Sequence, residues 1–155
     1  MENLDIIDFY KEILNTGTFL RIPTKGHSMK PLIKNGSNII IKKANLTKIT
    51  KGDIILFFDG QRLIAHRVIR KSKHDGNTKF IVKGDSTLHF DKPVYSKDIL
   101  GKVVKIENGS KIINLDNTSG KTINIIFTNI SLVITIIYFV IKFLKQKAYK
   151  IFRHC

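Results

Sequence analysis

The sequence predicts a mainly β fold, a compact sandwich or coiled barrel, with a short helix before it and a long apolar helix after it. From Phe19 to about Lys111, short β-rich runs alternate with turn-forming pairs that contain glycine. After Ser119-Gly120 the composition changes abruptly to an apolar stretch. With 155 residues, of which 43% are apolar, the chain can bury the core of one domain. We therefore divide it into residues 1–17, 18–120 and 121–155.

An amphipathic helix is expected at the N-terminus. Apolar residues recur there at the spacing of one helix face, and two more widen the stripe: Leu4, Ile7, Tyr10, Ile13 and Leu14, with Ile6 and Phe9. Acidic residues lie toward the start, and Gly17 follows the last apolar position as a stop signal. The acidic residues argue against an N-terminal secretory signal peptide, which needs a basic start and an apolar run.

Six strands are expected in the middle of the chain, at 18–23, 38–43, 53–58, 62–70, 79–82 and 100–106. Turn residues separate these runs at Asn35-Gly36, Lys51-Gly52-Asp53, Asp59-Gly60, Asp75-Gly76, Lys83-Gly84-Asp85 and Asn108-Gly109. Asp59-Gly60 lies directly between two apolar runs, which is a strong signal for a β-hairpin. The frequency of turns predicts short strands in one compact β domain.

The C-terminal stretch 123–143 has about the length of a bilayer-spanning helix, which takes roughly 20 residues. Polar residues interrupt it at Asn124, Thr128, Asn129, Ser131, Thr135 and Lys142. A basic tail with aromatic residues follows, typical of a membrane interface: Lys142, Lys145, Lys147, Lys150 and Arg153, with Tyr138, Tyr149 and Phe152. We expect a membrane anchor formed by a transmembrane helix. Two alternatives stay open: a segment that packs on the β domain, and an interfacial helix that lies on anionic lipid.

The charge of the chain favours an anionic partner. A formal net charge of +15 predicts attraction to nucleic acid or to anionic lipid headgroups. The 27 lysines and arginines are spread along the whole chain, without the arginine-rich block or aromatic platform of nucleic-acid-binding modules. Together with the C-terminal stretch, this distribution favours membrane lipid and predicts no nucleic-acid partner.

No metal and no other cofactor is expected. Cys155 is the single cysteine, so one chain can form neither a disulfide framework nor a cysteine metal cluster. Four of the five histidines lack metal-ligand spacing and are interpreted as ordinary surface or loop residues: His27, His74, His89 and His154.

A serine and a histidine in distinctive settings indicate nucleophilic catalysis. Ser28 lies in Gly26-His27-Ser28-Met29-Lys30-Pro31, and His66 lies in Ala65-His66-Arg67-Val68. A serine hydroxyl is a weak nucleophile at neutral pH, so it needs a base to take its proton and donors to stabilise the oxyanion. Histidine titrates near neutrality and suits the role of base. Structural alternatives are a local turn cap for Ser28 and a buried strand histidine for His66.

Four sequence blocks in a fixed order resemble the type I signal peptidase family, in its histidine-type branch, within the wider group that includes the LexA-like self-cleaving repressors. They are the Ser28 block, Lys51-Gly52-Asp53-Ile54-Ile55, the His66 block, and Lys83-Gly84-Asp85 with Asp91 and Gly101-Lys102-Val103. The resemblance spans about residues 19–106 and implies the coiled β fold of that superfamily.

The resemblance also implies roles for four residues. Ser28 is the nucleophile, His66 is the general base, and Asp91 is the carboxylate that orients the histidine and stabilises its imidazolium form. Asp85 matches the aspartate of the family's Lys-Gly-Asp block and supports the site. Both aspartates also lie in turn-like sequence, where aspartate is frequent for conformational reasons.

Two departures from the family pattern bear on mechanism and topology. Many signal peptidases have a serine two residues before the nucleophile that helps to form the oxyanion hole, whereas this chain has Gly26. In the nucleophile loop of Gly26, His27 and Met29, backbone N–H groups would then be the donors, chiefly that of Ser28. Histidine-type enzymes usually begin with a transmembrane helix, whereas this chain begins with an acidic amphipathic one, which leaves the side of the membrane open.

These features lead to the hypothesis of a membrane-associated serine endopeptidase that removes signal or leader peptides from exported proteins or peptides. The resemblance implies an extended peptide substrate, added as a strand, with small side chains at the first and third positions before the cut. A location at the cell membrane is expected, with lipid and a peptide exporter as further partners. The alternative is a catalytically silent module of the same fold that binds peptides or membranes. A self-cleaving repressor is disfavoured, because only 27 residues precede Ser28.

Overall fold

The computed structural model describes residues 2–74 and 77–152. Along the chain, one helix precedes a single sheet and another helix follows it. Helix α1 comprises Glu2–Asn15 and helix α2 comprises Thr118–Phe152. The described strands are β1 Leu20–Pro23, β2 Asn38–Lys43, β3 Ile54–Phe58, β4 Leu63–His74, β5 Asn77–Lys83, β6 Val94–Tyr95, β7 Ile99–Asn108 and β8 Lys111–Asn114. The predicted class, mainly β with a short N-terminal helix and a C-terminal apolar helix, is confirmed.

The strands form one antiparallel sheet in the order β1-β2-β7-β3-β4-β5-β6, and β8 pairs with β7. Register shifts interrupt the pairs β2–β7, β3–β7 and β4–β5. Such bulges bend a strand and increase its local twist, so the sheet curls into a half-barrel. Strand β1 lies at one edge of the sheet, and β6 lies at the other.

Strand β3 is buried on both faces and separates two apolar clusters. Ile54 and Leu56 face one cluster, whereas Ile55 and Phe57 face the other, because successive strand side chains point to opposite faces. These four side chains are at most 3% exposed. Met29 belongs to the first cluster and ties the nucleophile loop to the core. The two clusters hold β3 rigidly, and β3 in turn positions its partner β4.

Turns with clear sequence signals account for the strands that were predicted correctly, and the shortest strands were missed. The Asp59-Gly60 hairpin is confirmed, since β3 and β4 flank it and Gly60 adopts a φ of +96° that favours glycine. Asn108-Gly109 joins β7 to β8, a hairpin partner that the sequence analysis missed because β8 has only four residues. Strand β6, also missed, has two residues. The Asp75-Gly76 turn lies outside the described residues.

Helix α1 packs one apolar face on the first cluster. Ile7 and Leu14 are 5% and 1% exposed and belong to that cluster. Ile6 and Phe9, which were expected to widen the stripe, are exposed. Gly17, two residues after the last helical residue, has a φ of +86°, as the stop signal predicts.

Helix α2 is long and apolar, and its first half packs on the β domain. Asn117 caps it, since the Asn117 Oδ1 accepts a hydrogen bond from the Gly120 amide at 2.8 Å. By length and composition, Thr118–Gln146 could cross a membrane, with a mean hydropathy of 2.2. Up to Thr135, every third or fourth residue is buried against the domain, whereas residues 136–146 are all exposed. Arg153, His154 and Cys155 lie outside the described residues, as do the side chains of His74, Lys147, Tyr149, Lys150 and Phe152.

Candidate active site

Ser28 lies in the loop between β1 and β2, and hydrogen bonds from two directions hold this loop. The Gly26 amide donates to the Asn35 Oδ1 at 2.8 Å across the loop. From the segment after β5, the Ser86 amide donates to the Ser28 carbonyl at 2.9 Å, and the Ser86 hydroxyl donates to the His27 carbonyl at 2.6 Å. The Ser28 side chain is thereby fixed while remaining partly exposed.

Ser28, His66 and Asp91 form one connected hydrogen-bonded array. His66 lies on β4 opposite Ile55 of β3 and is 6% exposed. Its Nε2 is 3.0 Å from the Ser28 Oγ, and its Nδ1 is 2.5 Å from the Asp91 Oδ2. The Asp91 amide donates to the Val82 carbonyl at 3.0 Å, which anchors the carboxylate to the end of β5. This arrangement allows a proton to pass from the serine to the imidazole while the carboxylate holds the opposite ring nitrogen.

Asp85 lies beside this array without touching Ser28 or His66. Both of its carboxylate oxygens accept hydrogen bonds from the Arg67 guanidinium, each at 2.7 Å. The two side chains are 3% and 0% exposed, respectively. Such a bidentate pair is tolerated in a core because both charges are neutralised and hydrogen-bonded. The pair therefore fixes the strand that carries His66 rather than reaching the reacting atoms.

Lys83 is a second buried cation near the array. It is 1% exposed, and its Nζ donates to the Gly84 carbonyl at 3.0 Å. Burial lowers the pKa of the Lys83 amino group from its ordinary 10.5, and the charges of Asp85 and Asp91 offset part of this effect. The amino group is thus held between β5 and the segment that leads to Asp91.

The nucleophile loop presents backbone N–H groups beside the serine. The hydrogen bonds found among the described residues give the Ser28 amide no acceptor. Gly26 has a φ of +106°, which favours glycine, and a Cβ at that position would meet nothing within 4 Å. The space beside Gly26 is therefore open, and the Ser28 amide can serve as an oxyanion donor.

A groove of about 840 Å³ runs past the Ser28 hydroxyl. The residues that line it include Ile22 and Pro23 of β1, and Arg62 with the first four residues of β4, 63–66. Its lining combines apolar side chains with the exposed basic residues Lys25 and Lys34. Ser28, His66 and Asp91 all line this groove, so the array is open to whatever binds there.

The residues that could bind a metal ion do not gather in the described part of the chain. No group of three or more His, Cys, Asp or Glu side chains is placed there to hold one. His27 lies in the groove wall, and the His89 ring contacts that of Phe139, with centroids 6.1 Å apart.

Three residues that support the site escaped the sequence analysis. Asn35 and Ser86 hold the nucleophile loop, and Gly84 allows the close approach of the two loops. Gly84 was quoted only as part of the Lys-Gly-Asp block. A Cβ on Gly84 would lie 2.7 Å from the Ser28 carbonyl oxygen, which explains why a side chain is absent there.

Replacement of Gly84 with alanine is expected to lower kcat by about 10²-fold, because the added methyl group must displace Ser28 from its base. The measurement is the initial rate of peptide cleavage together with the melting temperature. Gly109→Ala is the control for a general loss of stability, because Gly109 has a φ of +61° in the hairpin between β7 and β8, while a Cβ there meets nothing within 4 Å. It should lower the melting temperature without lowering kcat. Equal kcat in Gly84→Ala and wild type would contradict the close approach.

Sequence comparison finds similarity to one curated catalytic subunit. The signal peptidase complex catalytic subunit SEC11 of Fusarium vanettenii is 31% identical to this chain over 88 residues. The aligned part covers 50% of this chain and 51% of that protein, so the chain spans about half the length of the curated relative it matches. No family model matches the chain. This similarity and the four sequence blocks both support a relationship to the type I signal peptidase family.

Proposed function

We propose that this chain, which is similar over half of its length to a signal peptidase complex catalytic subunit, is a membrane-associated serine endopeptidase that removes signal or leader peptides. One observation carries the serine mechanism: the Ser28 Oγ, both ring nitrogens of His66 and the Asp91 carboxylate lie in one line of hydrogen bonds. The fold brings these three residues together from a loop, a strand and a distant turn. Such an arrangement supports acyl transfer.

In the first half of the reaction, the Ser28 Oγ attacks the carbonyl carbon of the scissile peptide bond while its proton passes to the His66 Nε2. Asp91 accepts the hydrogen bond from Nδ1–H and stabilises the imidazolium that forms. The Ser28 amide donates to the oxyanion. As the carbon–nitrogen bond breaks, His66 gives its proton to the leaving amine, and an ester of Ser28 remains.

In the second half, His66 takes a proton from water, and the resulting hydroxide attacks the ester carbonyl. The ester bond breaks, the proton returns from His66 to the Ser28 Oγ, and the leader leaves with a free carboxylate. The enzyme is regenerated without a cofactor. The chemistry needs only the three side chains and the backbone donor.

Two free strand edges support binding of an extended peptide in the groove. In the described residues, β1 pairs only with β2, so its outer edge is unpaired. Strand β4 pairs with β3 through Leu63–Arg67 but meets β5 only from Arg67 onward, which leaves a free edge at 63–66. An added peptide strand would satisfy these edges by β-augmentation, with alternate side chains directed into the groove.

Cleavage of defined peptides tests this function. Leader-bearing peptides with Ala at the first and third positions before the cut should yield two products whose masses locate that cut. Peptides with Phe at those two positions serve as the matched control and should remain intact. Binding of the first peptide without any product would instead identify a peptide-binding module.

Membrane association is proposed on the outward face of α2. Large apolar side chains there are 37–63% exposed: Ile125, Ile126, Ile130, Val133, Ile134, Ile136, Ile137, Tyr138, Phe139, Val140, Ile141, Phe143 and Leu144. A continuous apolar surface of this kind on a soluble domain marks a partner. Lys142 and Lys145 adjoin it, and the chain carries a net charge of +15, which complements anionic lipid headgroups.

The packing of α2 favours insertion into one leaflet. The buried positions of α2 end at Thr135, and the exposed run 136–144, which is apolar except for Lys142, extends beyond them with an aromatic contact to the domain, between Phe139 and His89. At about 1.5 Å per residue this run is about 14 Å long, against a hydrocarbon core of about 30 Å. We therefore place the domain at the membrane surface, with α2 as an interfacial helix that contacts the lipid.

Vesicle flotation tests whether the outward face of α2 binds lipid. The variant Ile134→Lys/Ile137→Lys places two charges on the outward face of α2 and is expected to weaken binding to anionic vesicles by at least about tenfold. Ile112→Lys is the control, because Ile112 is 65% exposed but lies on β8. Unchanged flotation of the double variant would exclude this face as the lipid contact.

A further inference from the structure

Helix α2 carries a stripe of four buried polar residues on the face that packs on the domain. These residues, called here the polar stripe, are Asn124, Thr128, Ser131 and Thr135. They are 1–4% exposed, and their spacing of four, three and four residues places them on one helix face. The fully buried positions of this part of the helix are therefore polar, beside the partly buried Ile123 and Phe127, while its exposed face is apolar, the reverse of an ordinary amphipathic helix.

Two members of the polar stripe bind the two buried cations of the β domain. The Asn124 Oδ1 accepts a hydrogen bond from the Arg67 Nη1 at 2.8 Å. The Ser131 Oγ accepts one from the Lys83 Nζ at 2.5 Å. Among the described residues, the hydroxyls of the other two members bond within the helix: that of Thr128 donates to the Asn124 carbonyl, and that of Thr135 donates to the Ser131 carbonyl.

The partners of Arg67 show what Asn124 completes. Arg67 binds Asp85 through Nε and Nη2, and its Nη1 donates to the Gly52 carbonyl at 2.8 Å. The second Nη1 proton is directed to the Asn124 Oδ1 at 2.8 Å, while the Asn124 backbone carbonyl is a longer contact at 3.4 Å. A fully buried guanidinium needs a partner for each N–H, and an unpaired one is costly. Because Arg67 follows His66 directly on β4, a shift of the guanidinium would be transmitted to the base.

Lys83 provides the corresponding link to the nucleophile and to Asp91. Its Nζ donates to the Gly84 carbonyl at 3.0 Å, and Gly84 lies in close contact with Ser28. The segment that begins at Gly84 donates the Ser86 amide to the Ser28 carbonyl and ends at Asp91. Without Ser131, the buried ammonium loses one of the two acceptors found for it in the described residues.

We infer that Asn124 and Ser131 are positioning residues for the active site, an assignment that rests on the peptidase activity proposed above. Neither residue touches the reacting atoms. Asn124 fixes Arg67 behind His66, and Ser131 fixes Lys83 behind the segment that holds Ser28 and carries Asp91. The packing of α2 on the domain thereby sets the geometry of the array. The opposite face of α2 is the one proposed above to contact lipid.

Paired variants within the polar stripe test this role. Asn124→Leu and Ser131→Ala remove the acceptors for the two cations, whereas Thr128→Val and Thr135→Val remove hydroxyls that bond within the helix. We expect kcat to fall at least about tenfold in the first pair with KM within about twofold of wild type, and to stay within about twofold in the second pair. The conservative single variants Asn124→Asp and Ser131→Thr keep an acceptor for the cation and should retain most of the wild-type kcat.

Hydrogen exchange of the site loops gives a second measurement that needs no activity. Amides in 26–30 and 84–91 should exchange at least about tenfold faster in Asn124→Leu and Ser131→Ala than in the two threonine variants. If wild type cleaves no peptide but this exchange pattern is found, the proposed function fails while the positioning role stands. Equal exchange and equal kcat across both pairs would overturn the positioning role, as would equal losses in both pairs.

Discussion

Replacement of His66 with alanine is expected to lower kcat for peptide cleavage by on the order of 10⁴- to 10⁶-fold while peptide binding persists. The His66 Nε2 lies 3.0 Å from the Ser28 Oγ, and no other titratable side chain among the described residues hydrogen-bonds to that hydroxyl. Without His66, the serine has no group to take its proton. The measurement is the rate at saturating peptide, alongside the anisotropy of a labelled peptide.

A second histidine near the site provides the control for this prediction. His89 is exposed and contacts Phe139, and its side chain makes no hydrogen bond to the array. His89→Ala should retain a kcat within about threefold of wild type. If His66→Ala kept a rate within tenfold of wild type, another group would have to act as the base.

Replacement of Asp91 with asparagine is expected to lower kcat by on the order of 10⁴-fold with little change in stability. The carboxylate accepts from the His66 Nδ1 at 2.5 Å, and this bond keeps Nε2 free to take the serine proton. An amide can instead donate to Nδ1, which favours the wrong tautomer. Asp91 is 30% exposed, so its replacement leaves no uncompensated buried charge.

Asp85, the other aspartate of the same segment, is expected to affect stability where Asp91 affects catalysis. Asp85→Ala would leave the fully buried Arg67 without its carboxylate, which should cost about 3–5 kcal/mol in the free energy of unfolding. Urea unfolding of both variants separates the two roles. A large loss of stability in Asp91→Asn, or none in Asp85→Ala, would reverse the assignment of these two carboxylates.

The β domain follows from its sequence because its turns are local signals. Glycine at Gly60 satisfies a positive φ whatever surrounds it, so a hairpin can be predicted without tertiary information. Strand β6 could not be predicted, since two residues show no period and their pairing with β5 depends on the rest of the sheet. The apolar residues of α1 illustrate the same limit, because Phe9 is exposed although its pattern resembles that of Leu14.

The site was partly predictable for a different reason. Ser28, His66 and Asp91 are far apart in the chain, and only the order of the sequence blocks connected them before the structure. The contacts of Asp85 with Arg67 depend on which side chains face the core, and a turn aspartate gives no sign of that. The sequence likewise showed Asn124 and Ser131 as interruptions of an apolar stretch, while their cationic partners lie on strands far from α2.

Cleavage of a leader-bearing peptide by wild type and by Ser28→Ala, followed by mass spectrometry, tests the central claim most directly. The peptide carries Ala at the first and third positions before the cut, and circular dichroism verifies that both proteins are folded. We predict two products of the expected masses with wild type and none with Ser28→Ala, since no other hydroxyl in the described part of the chain hydrogen-bonds to His66. Equal product formation by the two proteins would contradict a serine mechanism at this site.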